Sequence, residues 1–358
     1  MNNPNNPPKP VMQSDIARAL NVSQVTVSLA LRNSPTISEA RRKQIHEVAQ
    51  QMGYRPNPVA TAFAHSKKRA QGSAIRESLA WLNFWPDPKK LRSWGEFDRY
   101  WAAAKACAEK YGYRLEEFVA HGMTLTRLEQ QLRTRGIKGI LLPPHGDLPL
   151  ELKDFGWEHF SVVRFGTAMA EPAVHCVGAD AVANVICAFN AMRERGYRRI
   201  GFVGYQPGKR LTLHAYLGQQ QLMPPEDRVP PFAMPGNFEQ VPRFEPTFVE
   251  WLRRHQPDAI LTEVEHIPAM LARAGVRVPQ DVALASTTVL DIPQIDAGID
   301  QNALEIGRVA IFVLISLLRD HDQGIPPIHR EIRIKGKWVD GRSLPEKSMP
   351  PRRAHSIA

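Results

Sequence analysis

Apolar residues recur at helical spacing in two short segments near the start of the chain. Residues 14–20 form the first predicted helix, with Ser14 as its N-cap and the apolar positions on one face. Ser23 caps a second predicted helix that runs to about Leu31. Between them, Asn21 can adopt the left-handed conformation that ends a helix and turns the chain. Two short helices joined by so tight a turn predict a helix-turn-helix.

The start of the second helix carries the side chains with which this motif reads DNA. In a helix-turn-helix, the N-terminal residues of the second helix face base edges in the major groove. Here they are Gln24, Val25 and Thr26, with Ser28 one turn further along. Glutamine can make paired hydrogen bonds to adenine, and valine or the threonine methyl can touch the methyl of thymine. The alternative is a helical hairpin that belongs to some other core.

Two further helices are predicted in the same part of the chain. The third is capped by Ser38, ends at Gly53 and has an apolar stripe along one side. The fourth covers residues 59–65, after Asn57 as N-cap and Pro58 at the first helical position. Because so short a helix is marginal in isolation, we expect it to form only when it is docked.

From residue 79 to residue 340 the pattern changes to strands that alternate with amphipathic helices. Stretches such as SLAWLNF, IKGILLPP and SVVRFG read as strands, and a second set of strands and helices begins near residue 183. Such alternation predicts parallel sheets covered by helices. Two sets predict two subdomains with a cleft at the carboxyl ends of the strands. The predicted fold is an all-α helix-turn-helix head followed by an α/β effector domain of two doubly wound parallel-sheet subdomains, as in periplasmic binding proteins.

These patterns divide the chain into five predicted parts. Residues 1–10 are almost entirely Asn and Pro and have nothing to bury, so we expect them to be disordered. The parts are a disordered arm (1–10), a helix-turn-helix DNA-binding domain (11–56), a hinge helix and linker (57–78), an effector-binding and dimerisation domain (79–340) and a disordered basic tail (341–358).

The net charge of +10 is unevenly distributed along the 358 residues. Residues 1–70 hold ten Lys or Arg against three Asp or Glu, a net charge of +7. Residues 71–340 hold 32 of each sign, and residues 341–358 hold four against one, a net charge of +3. A basic head on a neutral body is the electrostatic pattern of phosphate binding.

Several classes of protein are disfavoured by what the sequence lacks. Its N-terminus has no basic start or apolar core, and its longest apolar run, near residues 309–318, is too short for a membrane span, so we expect a cytoplasmic protein with no membrane partner. Cys107, Cys176 and Cys187 form no CxxC pair and read as reduced thiols. Without a catalytic motif or a metal-ligand spacing of histidines, no enzyme, metal site or cofactor is indicated.

Residues 11–66 closely resemble the lac repressor family of bacterial transcription regulators. The effector domain carries further matches in the family's order. The matching residues are Asp15-Ile16-Ala17, Val22-Ser23, Thr26-Val27-Ser28, Asn33, Val48, Gly53-Tyr54, Pro56-Asn57, Ala60, Gly196-Tyr197-Arg198-Arg199-Ile200, Pro257-Asp258-Ala259-Ile260, Val278-Pro279-Gln280-Asp281-Val282, Gln301-Asn302 and Gly307.

The resemblance implies how the head binds DNA. The second helix reads one operator half-site, and the short fourth helix pairs with that of a second subunit in the minor groove. Where the family presents a leucine wedge this chain has Phe63, and where an arginine is common it has Leu29. The candidate DNA-binding residues are Ser23, Gln24, Val25, Thr26, Ser28, Asn33, Tyr54, Asn57, Ala60 and Phe63.

The cleft of the effector domain is expected to bind a small molecule. Its candidate residues are Trp85, Arg210, Glu263 and Gln301, an aromatic face with donors and acceptors that suits a sugar or polyol. Trp85 and Arg210 are equally compatible with plain packing or surface pairing. Several positions depart from the family's sugar site, which leaves a vestigial pocket or a different ligand as alternatives. They are Gly166-Thr167, Thr212, Thr262-Glu263 and Ala303.

The sequence thus predicts a sequence-specific transcriptional regulator, most plainly a repressor. A homodimer would bind a pseudo-palindromic operator, because one helix reads too few base pairs to be specific. A small-molecule effector, sugar-like in chemistry, would control it allosterically. The alternative is a stand-alone small-molecule binding protein of the periplasmic type without a DNA role, which the basic head disfavours.

Overall fold

The chain divides into two compact units, Met1–Ala74 and Ile75–Ala358. The computed structural model describes residues 11–31, 36–54, 77–144, 152–166, 172–205, 211–234 and 243–347. Its described part of the first unit contains three helices: α1 (Gln13–Ala19), α2 (Gln24–Leu31) and α3 (Glu39–Gln51). The predicted fourth helix lies outside the described residues.

The caps of these helices agree with the sequence at two points and differ at a third. Asn21 has the expected left-handed backbone, with φ of 51°. The Ser23 hydroxyl accepts a hydrogen bond from the backbone N–H of Thr26 at 3.0 Å, as an N-cap does. Ser14, however, lies inside α1, and the prediction that it caps this helix is wrong. The side-chain hydrogen bond at this helix start comes instead from Asp15, in the first turn. Its carboxylate accepts from the backbone N–H of Met12 at 2.9 Å.

The described residues of the second unit form two sheets, as predicted, and each sheet has six strands. The first has the order β11-β5-β4-β3-β1-β2, and all its neighbouring strands are parallel. Its register aligns Leu79 with Leu115 on one side and with Gly139 on the other. The strands are β1 (Glu77–Asn83), β2 (Tyr113–Val119), β3 (Gly139–Leu142), β4 (Ser161–Phe165), β5 (His175–Ala179) and β11 (Glu331–Ile334).

Helices cover both faces of this first sheet, because its central strands are apolar on both sides. The helices α5 (Gly95–Lys110) and α11 (Ala303–Asp320) pack on one face and on each other. On the other face lies α6 (Leu125–Thr134), through Leu128 and Leu132. A short helix, α4 (Pro88–Leu91), precedes α5. We call this sheet with its four helices the N-subdomain.

The second sheet has the order β12-β10-β9-β8-β6-β7, with only β12 antiparallel to its neighbour. Two helices pack on each of its faces. We call this sheet with its helices the C-subdomain. Its elements are β6 (Ile200–Tyr205), β7 (Phe232–Met234), β8 (Ala259–Thr262), β9 (Ala283–Ser286), β10 (Gly298–Asp300), β12 (Lys337–Val339), α7 (Ala181–Glu194), α8 (Leu211–Gln221), α9 (Glu245–His255) and α10 (Ile267–Arg273).

The chain crosses between the two sheets three times. The crossings lie between β5 and α7, between β10 and α11, and between β11 and β12. Hydrogen bonds link these segments. Asn184 Oδ1 accepts from the backbone N–H of Gly336 at 2.7 Å, and the Asn302 side-chain amide donates to the Lys335 carbonyl oxygen at 2.7 Å. Each subdomain is therefore discontinuous in sequence.

The start of the predicted disordered tail is ordered, which corrects the prediction for residues 341–347. Ser343 and Leu344 are buried, with 6% and 2% of their surface exposed. Tyr197 donates its hydroxyl to the Pro345 carbonyl oxygen at 2.8 Å, and Lys347 forms a 2.8 Å ion pair with Asp258. An apolar leucine and a few polar anchors are enough to dock this segment on the C-subdomain, although its composition is basic.

Among the described residues, no helix is both long enough and apolar enough to cross a membrane. The described part of the chain also has no group of three or more His, Cys, Asp or Glu that could hold a metal ion. Cys107, Cys176 and Cys187 are free thiols, the first two buried.

Alanine substitution is predicted to have different effects at Gly307, which lies in the contact between α5 and α11, and at Gly218, which lies in α8. A Cβ on Gly307 would lie 2.4 Å from the Tyr100 carbonyl oxygen, so the Gly307→Ala variant must separate the two helices. We expect a loss of about 1–3 kcal/mol in the free energy of unfolding. A Cβ on Gly218, in the exposed part of α8, would meet nothing within 4 Å. Gly218→Ala should therefore be neutral or stabilise by up to about 1 kcal/mol.

Urea unfolding followed by tryptophan fluorescence measures both effects, because all seven tryptophans lie in the second unit. A Gly307→Ala protein as stable as the parent would contradict the close approach of the two helices.

Candidate nucleic-acid interface and effector cleft

Three helices in the first unit hold one another through a small apolar core. Val27 and Ala30 of α2 are buried against residues of α1 and α3. The turn between α1 and α2 is closed by a 2.9 Å hydrogen bond from the Val22 N–H to the Ala17 carbonyl oxygen. The remaining buried members of this core are Ile16, Ala17, Ile45 and Ala49. This packing determines which side of α2 faces away from the core.

The outward side of α2 carries the residues that the sequence singled out. Gln24 and Val25 are exposed at its first turn, and 67% of the Val25 surface is accessible. Thr26 and Ser28 are half-buried beside them. The Ser23 and Thr26 hydroxyls are hydrogen-bonded to each other at 2.8 Å. Five of the predicted DNA-binding residues therefore lie together at one end of one helix.

Tyr54 has a structural position apart from this group. Its hydroxyl accepts a 3.1 Å hydrogen bond from the Gln13 side-chain amide, which ties the segment after α3 to the start of α1. Its backbone N–H donates to the Ala49 carbonyl oxygen at 2.9 Å. The other predicted DNA-binding residues, Asn33, Asn57, Ala60 and Phe63, lie outside the described residues.

The helices α1 and α3, which pack against α2, carry basic side chains, whereas α2 itself has none. Arg41 and Arg42 lie in the first turn of α3 and Lys43 follows them, and Arg18 lies in the last turn of α1. The Arg18 side chain is 82% exposed and stands 3.6 Å from the Asp15 carboxylate. An exposed pair of this kind holds its charges weakly, so the guanidinium can exchange Asp15 for a phosphate.

On the effector side, Trp85 lies at the carboxyl end of the first sheet, just after β1. Its indole N–H donates to the Pro144 carbonyl oxygen at 3.0 Å, after β3, and its backbone N–H donates to Asn83 Oδ1 at 3.0 Å. Asn83 in turn donates to Glu117 Oε1 at 2.8 Å. Trp85 is 7% exposed, so it acts as a wall that holds the loops after β1 and β3 together.

Glu263 lies at the carboxyl end of the second sheet. Its carboxylate accepts the backbone N–H of Tyr205 at 3.0 Å and the Thr212 hydroxyl at 3.2 Å. It thereby joins the loop after β8 to the end of β6 and the start of α8. The Glu263 carboxylate and the Thr212 hydroxyl, which contact each other, are at two of the positions where the sequence departs from the family's sugar site.

Gln301 lies at the crossing between β10 and α11. Its side-chain amide donates to the Thr287 carbonyl oxygen at 2.9 Å, which fixes the loop after β9. The structure thus places Trp85 and Glu263 at the strand ends of different subdomains and Gln301 where the chain passes between them. Arg210 lies outside the described residues.

A contact between the two subdomains was not anticipated from the sequence. Asp291, in the loop after β9, accepts the backbone N–H of Glu96 at 3.1 Å, and the backbone of Gly95 also hydrogen-bonds to this carboxylate. The C-subdomain therefore caps the N-terminus of α5 in the N-subdomain, where an anion is stabilised by the helix dipole. We call this contact the cross-cap.

The cross-cap carries a carboxyl group that resists ionisation. Burial, together with the nearby Asp291 carboxylate, raises the pKa of Glu96 from 4.5 to about 8. The Tyr100 hydroxyl donates to Glu96 Oε1. Burial also raises the pKa of Asp291, with a further contribution from Glu265. In the sequence, a glutamate in the first turn of a helix indicates only a favourable interaction with the helix dipole. Asp291 lies 195 residues from Glu96, so the sequence around α5 gives no sign of this cap.

Each of the two units contains a segment that matches a known protein-family model. Residues 13–57 match the model described as bacterial regulatory proteins, lacI family, and residues 189–344 match the periplasmic binding protein-like domain. The chain is 23% identical over 340 residues to the HTH-type transcriptional regulator MalR of Streptococcus pneumoniae, covering 90% of this chain and 97% of MalR.

Solved structures share the whole architecture. The cellobiose complex of the transcriptional regulator CelR superposes with a TM-score of 0.57 and 18% identity, over 93% of this chain and 99% of that chain. The lac repressor dimer bound to operator and the anti-inducer ONPF gives 0.51 and 15%, over 94% and 99%. These likenesses confirm the predicted fold, and MalR, one of the relatives by sequence, is a transcriptional regulator.

Glu96 predicts a specific dependence of stability on pH. Its pKa is raised in the folded protein, so folding binds a proton between about pH 4.5 and pH 8. Its contribution is fully present below pH 4.5 and is lost as the pH rises through 8. In Glu96→Gln, a neutral amide replaces the protonated acid and can still accept from Tyr100. We expect this variant to lose less stability as the pH rises, by up to about 1.4 kcal/mol per pH unit within that window.

Urea unfolding at several values between pH 5 and pH 8.5, followed by tryptophan fluorescence, measures the difference. Glu305→Gln is the matched control, because the partly exposed Glu305 pairs with Arg308 and has a lowered pKa. Its curve should run parallel to that of the parent over this window. Parallel curves for Glu96→Gln and the parent would contradict a buried, protonated Glu96.

Proposed function

The chain belongs to the lacI family of bacterial regulatory proteins, and we propose on this premise that it represses transcription as a homodimer bound to a pseudo-palindromic operator. A sugar-like small molecule in the cleft controls its occupancy of that operator. The observation that carries the proposal is the position of α2, whose capped first turn projects Gln24 and Val25 away from the core beside an excess of cations. We place this activity in the cytoplasm, where the DNA is.

The proposal requires two DNA-binding heads, because one head is too small to recognise a specific site. A single recognition helix contacts only a few base pairs, and a two-fold dimer doubles the number read and sets the spacing between half-sites. The lac repressor structure of the same architecture is described as a dimer bound to operator. In this proposal Ser23, Gln24, Val25, Thr26 and Ser28 face the major groove. Asn33, Tyr54, Asn57, Ala60 and Phe63 complete the contacts, with Phe63 as the minor-groove wedge.

The effector site is proposed at the facing strand ends of the two subdomains. Trp85 supplies an apolar wall, and Arg210, Glu263 and Gln301 supply donors and acceptors, as a polyhydroxylated ligand requires. The structure of CelR, which shares this architecture, is a complex with cellobiose. A carboxylate already held by Tyr205 and Thr212 is oriented before a ligand arrives, which lowers the cost of ordering the site.

Coupling between cleft and head requires two arrangements of the subdomains with different affinities for the ligand. The cross-cap and the hydrogen-bonded crossings at Asn184 and Asn302 are the contacts that such a rearrangement would change or preserve. The segment at residues 57–65, proposed as a helix that forms only when paired, transmits the difference to DNA.

Gln24→Ala tests the reading role of α2. It should relax specificity at one position of the operator, at a cost of about 1–3 kcal/mol for the preferred base pair, and leave other positions unchanged. Gel-shift titrations of the full chain against single base-pair variants of a selected site measure this, at several salt concentrations. Gln50→Ala, an exposed glutamine of α3, is the control. A uniform loss across all sequences would show that Gln24 contacts phosphate and not base.

A panel of mono- and disaccharides tests the effector site. We expect at least one to raise the melting temperature of the full chain and to change its operator affinity. Glu263→Gln keeps the shape of the side chain and removes its charge, so it should weaken that response about 10-fold or more, the loss expected when charged hydrogen bonds are replaced. Glu305→Gln should respond like the parent. No response to any sugar, or an unchanged response in Glu263→Gln, would contradict the proposed site.

A further inference from the structure

The helix α2, whose first turn is proposed to read the operator, carries no charged side chain. The eight residues of α2, QVTVSLAL, include no Lys, Arg, Asp or Glu. The first 70 residues nonetheless have a net charge of +7, so every cation of the head lies outside this helix. The side chains that meet base edges are therefore chemically separate from those that meet phosphates.

The outward face of α2 is an apolar stripe with polar neighbours. Val25 is 67% exposed, and Leu29, four residues further along and hence on the same side of the helix, is half-buried. Gln24 and Ser28 form the adjacent row at the same spacing. A lone exposed valine is ordinary, but this one stands on the helix that the family inserts into the groove.

The polar capacity of the first turn is partly used within the protein. The Thr26 and Ser23 hydroxyls are hydrogen-bonded to each other at 2.8 Å, and the Ser23 hydroxyl also accepts the Thr26 backbone N–H at 3.0 Å. The Thr26 methyl is the part of its side chain outside this pair. What α2 offers a base edge is mainly branched aliphatic surface and the amide of Gln24.

Base pairs differ in the chemical groups that they present in the major groove. Guanine is most often read by the paired donors of arginine or lysine, whereas thymine is marked in the major groove by its methyl group. We propose that α2 reads A·T pairs, with thymine methyls packed against Val25 and Leu29 and an adenine held by Gln24. This inference rests on the proposed operator function and specifies the bases at the centre of each half-site.

The separation of charge from reading has a consequence for affinity. Because the cations lie outside α2, the dependence of binding on salt should be independent of the residue at position 25. Val25→Ala should therefore change which site is preferred while the slope of log affinity against log salt stays the same.

The test uses the full chain and a random-sequence duplex library. Sites selected from the library are resynthesised with deoxyuridine in place of each thymidine in turn, which removes one methyl and keeps all hydrogen bonds. In each half-site, at least one replacement should weaken binding of the parent by roughly 3- to 10-fold, the size expected for one buried methyl. The same replacement should have no effect on Val25→Ala. Leu29→Arg should shift the selected site towards guanine at one position.

Met12→Ala is the matched control, since Met12 is 57% exposed and lies outside α2. It should keep the sensitivity to thymine methyls, and a circular dichroism spectrum verifies that each variant is folded. Selected sites that place guanine opposite α2, or a methyl effect that survives in Val25→Ala, would overturn the inference and leave the operator function standing. A selection without any preferred sequence would instead overturn the operator function.

Discussion

The α/β unit depends on the hydrogen bonds that join its three crossings. Where the chain leaves one sheet for the other, the backbone has no ladder partner and must find one elsewhere. Asn184 and Asn302 provide it, by binding the backbone of Gly336 and Lys335 in the third crossing. These hydrogen bonds link the three segments that connect the subdomains. A relative movement of the two sheets would therefore have to strain or rearrange them. The cross-cap of Asp291 on α5 is a further link between the same two bodies.

The head is organised on a smaller scale and by a simpler rule. Six buried side chains orient the three short helices of the described head, and so small an apolar core gives modest stability. The division between an uncharged α2 and cations on α1 and α3 means that the strength of DNA binding and the choice of sequence can change independently.

Much of this could be predicted from local sequence. Caps and turns such as Ser23 and Asn21 act within a few residues, and the alternation of strands and helices reports burial directly. The prediction missed β5, β7, β10, β11 and β12, because strands of three to five residues without a continuous run of large apolar side chains show no clear pattern. It also missed the helices α4, α8 and α11, and in α11 a mostly apolar sequence hides the helical period.

The functional sites show the same limit more sharply. Five candidate residues at the start of α2 lie within six positions of one another, from Ser23 to Ser28, so they could be named together. The cross-cap joins residues 195 apart, and the docking of residues 341–347 depends on partners such as Tyr197 and Asp258 far away in the chain. Contacts that depend on the final placement of distant loops have no signature in a single stretch of sequence.

The discontinuity of the subdomains determines how this protein can be rebuilt by recombination. A cut near residue 75 separates two contiguous units, so a head of different specificity can be exchanged as one cassette. No single cut does the same for the subdomains, because the N-subdomain needs both β1–β5 and the return through α11 and β11. New operators can therefore be acquired by exchange of whole segments, whereas a new effector must arise by substitutions within a cleft whose two walls are inherited together.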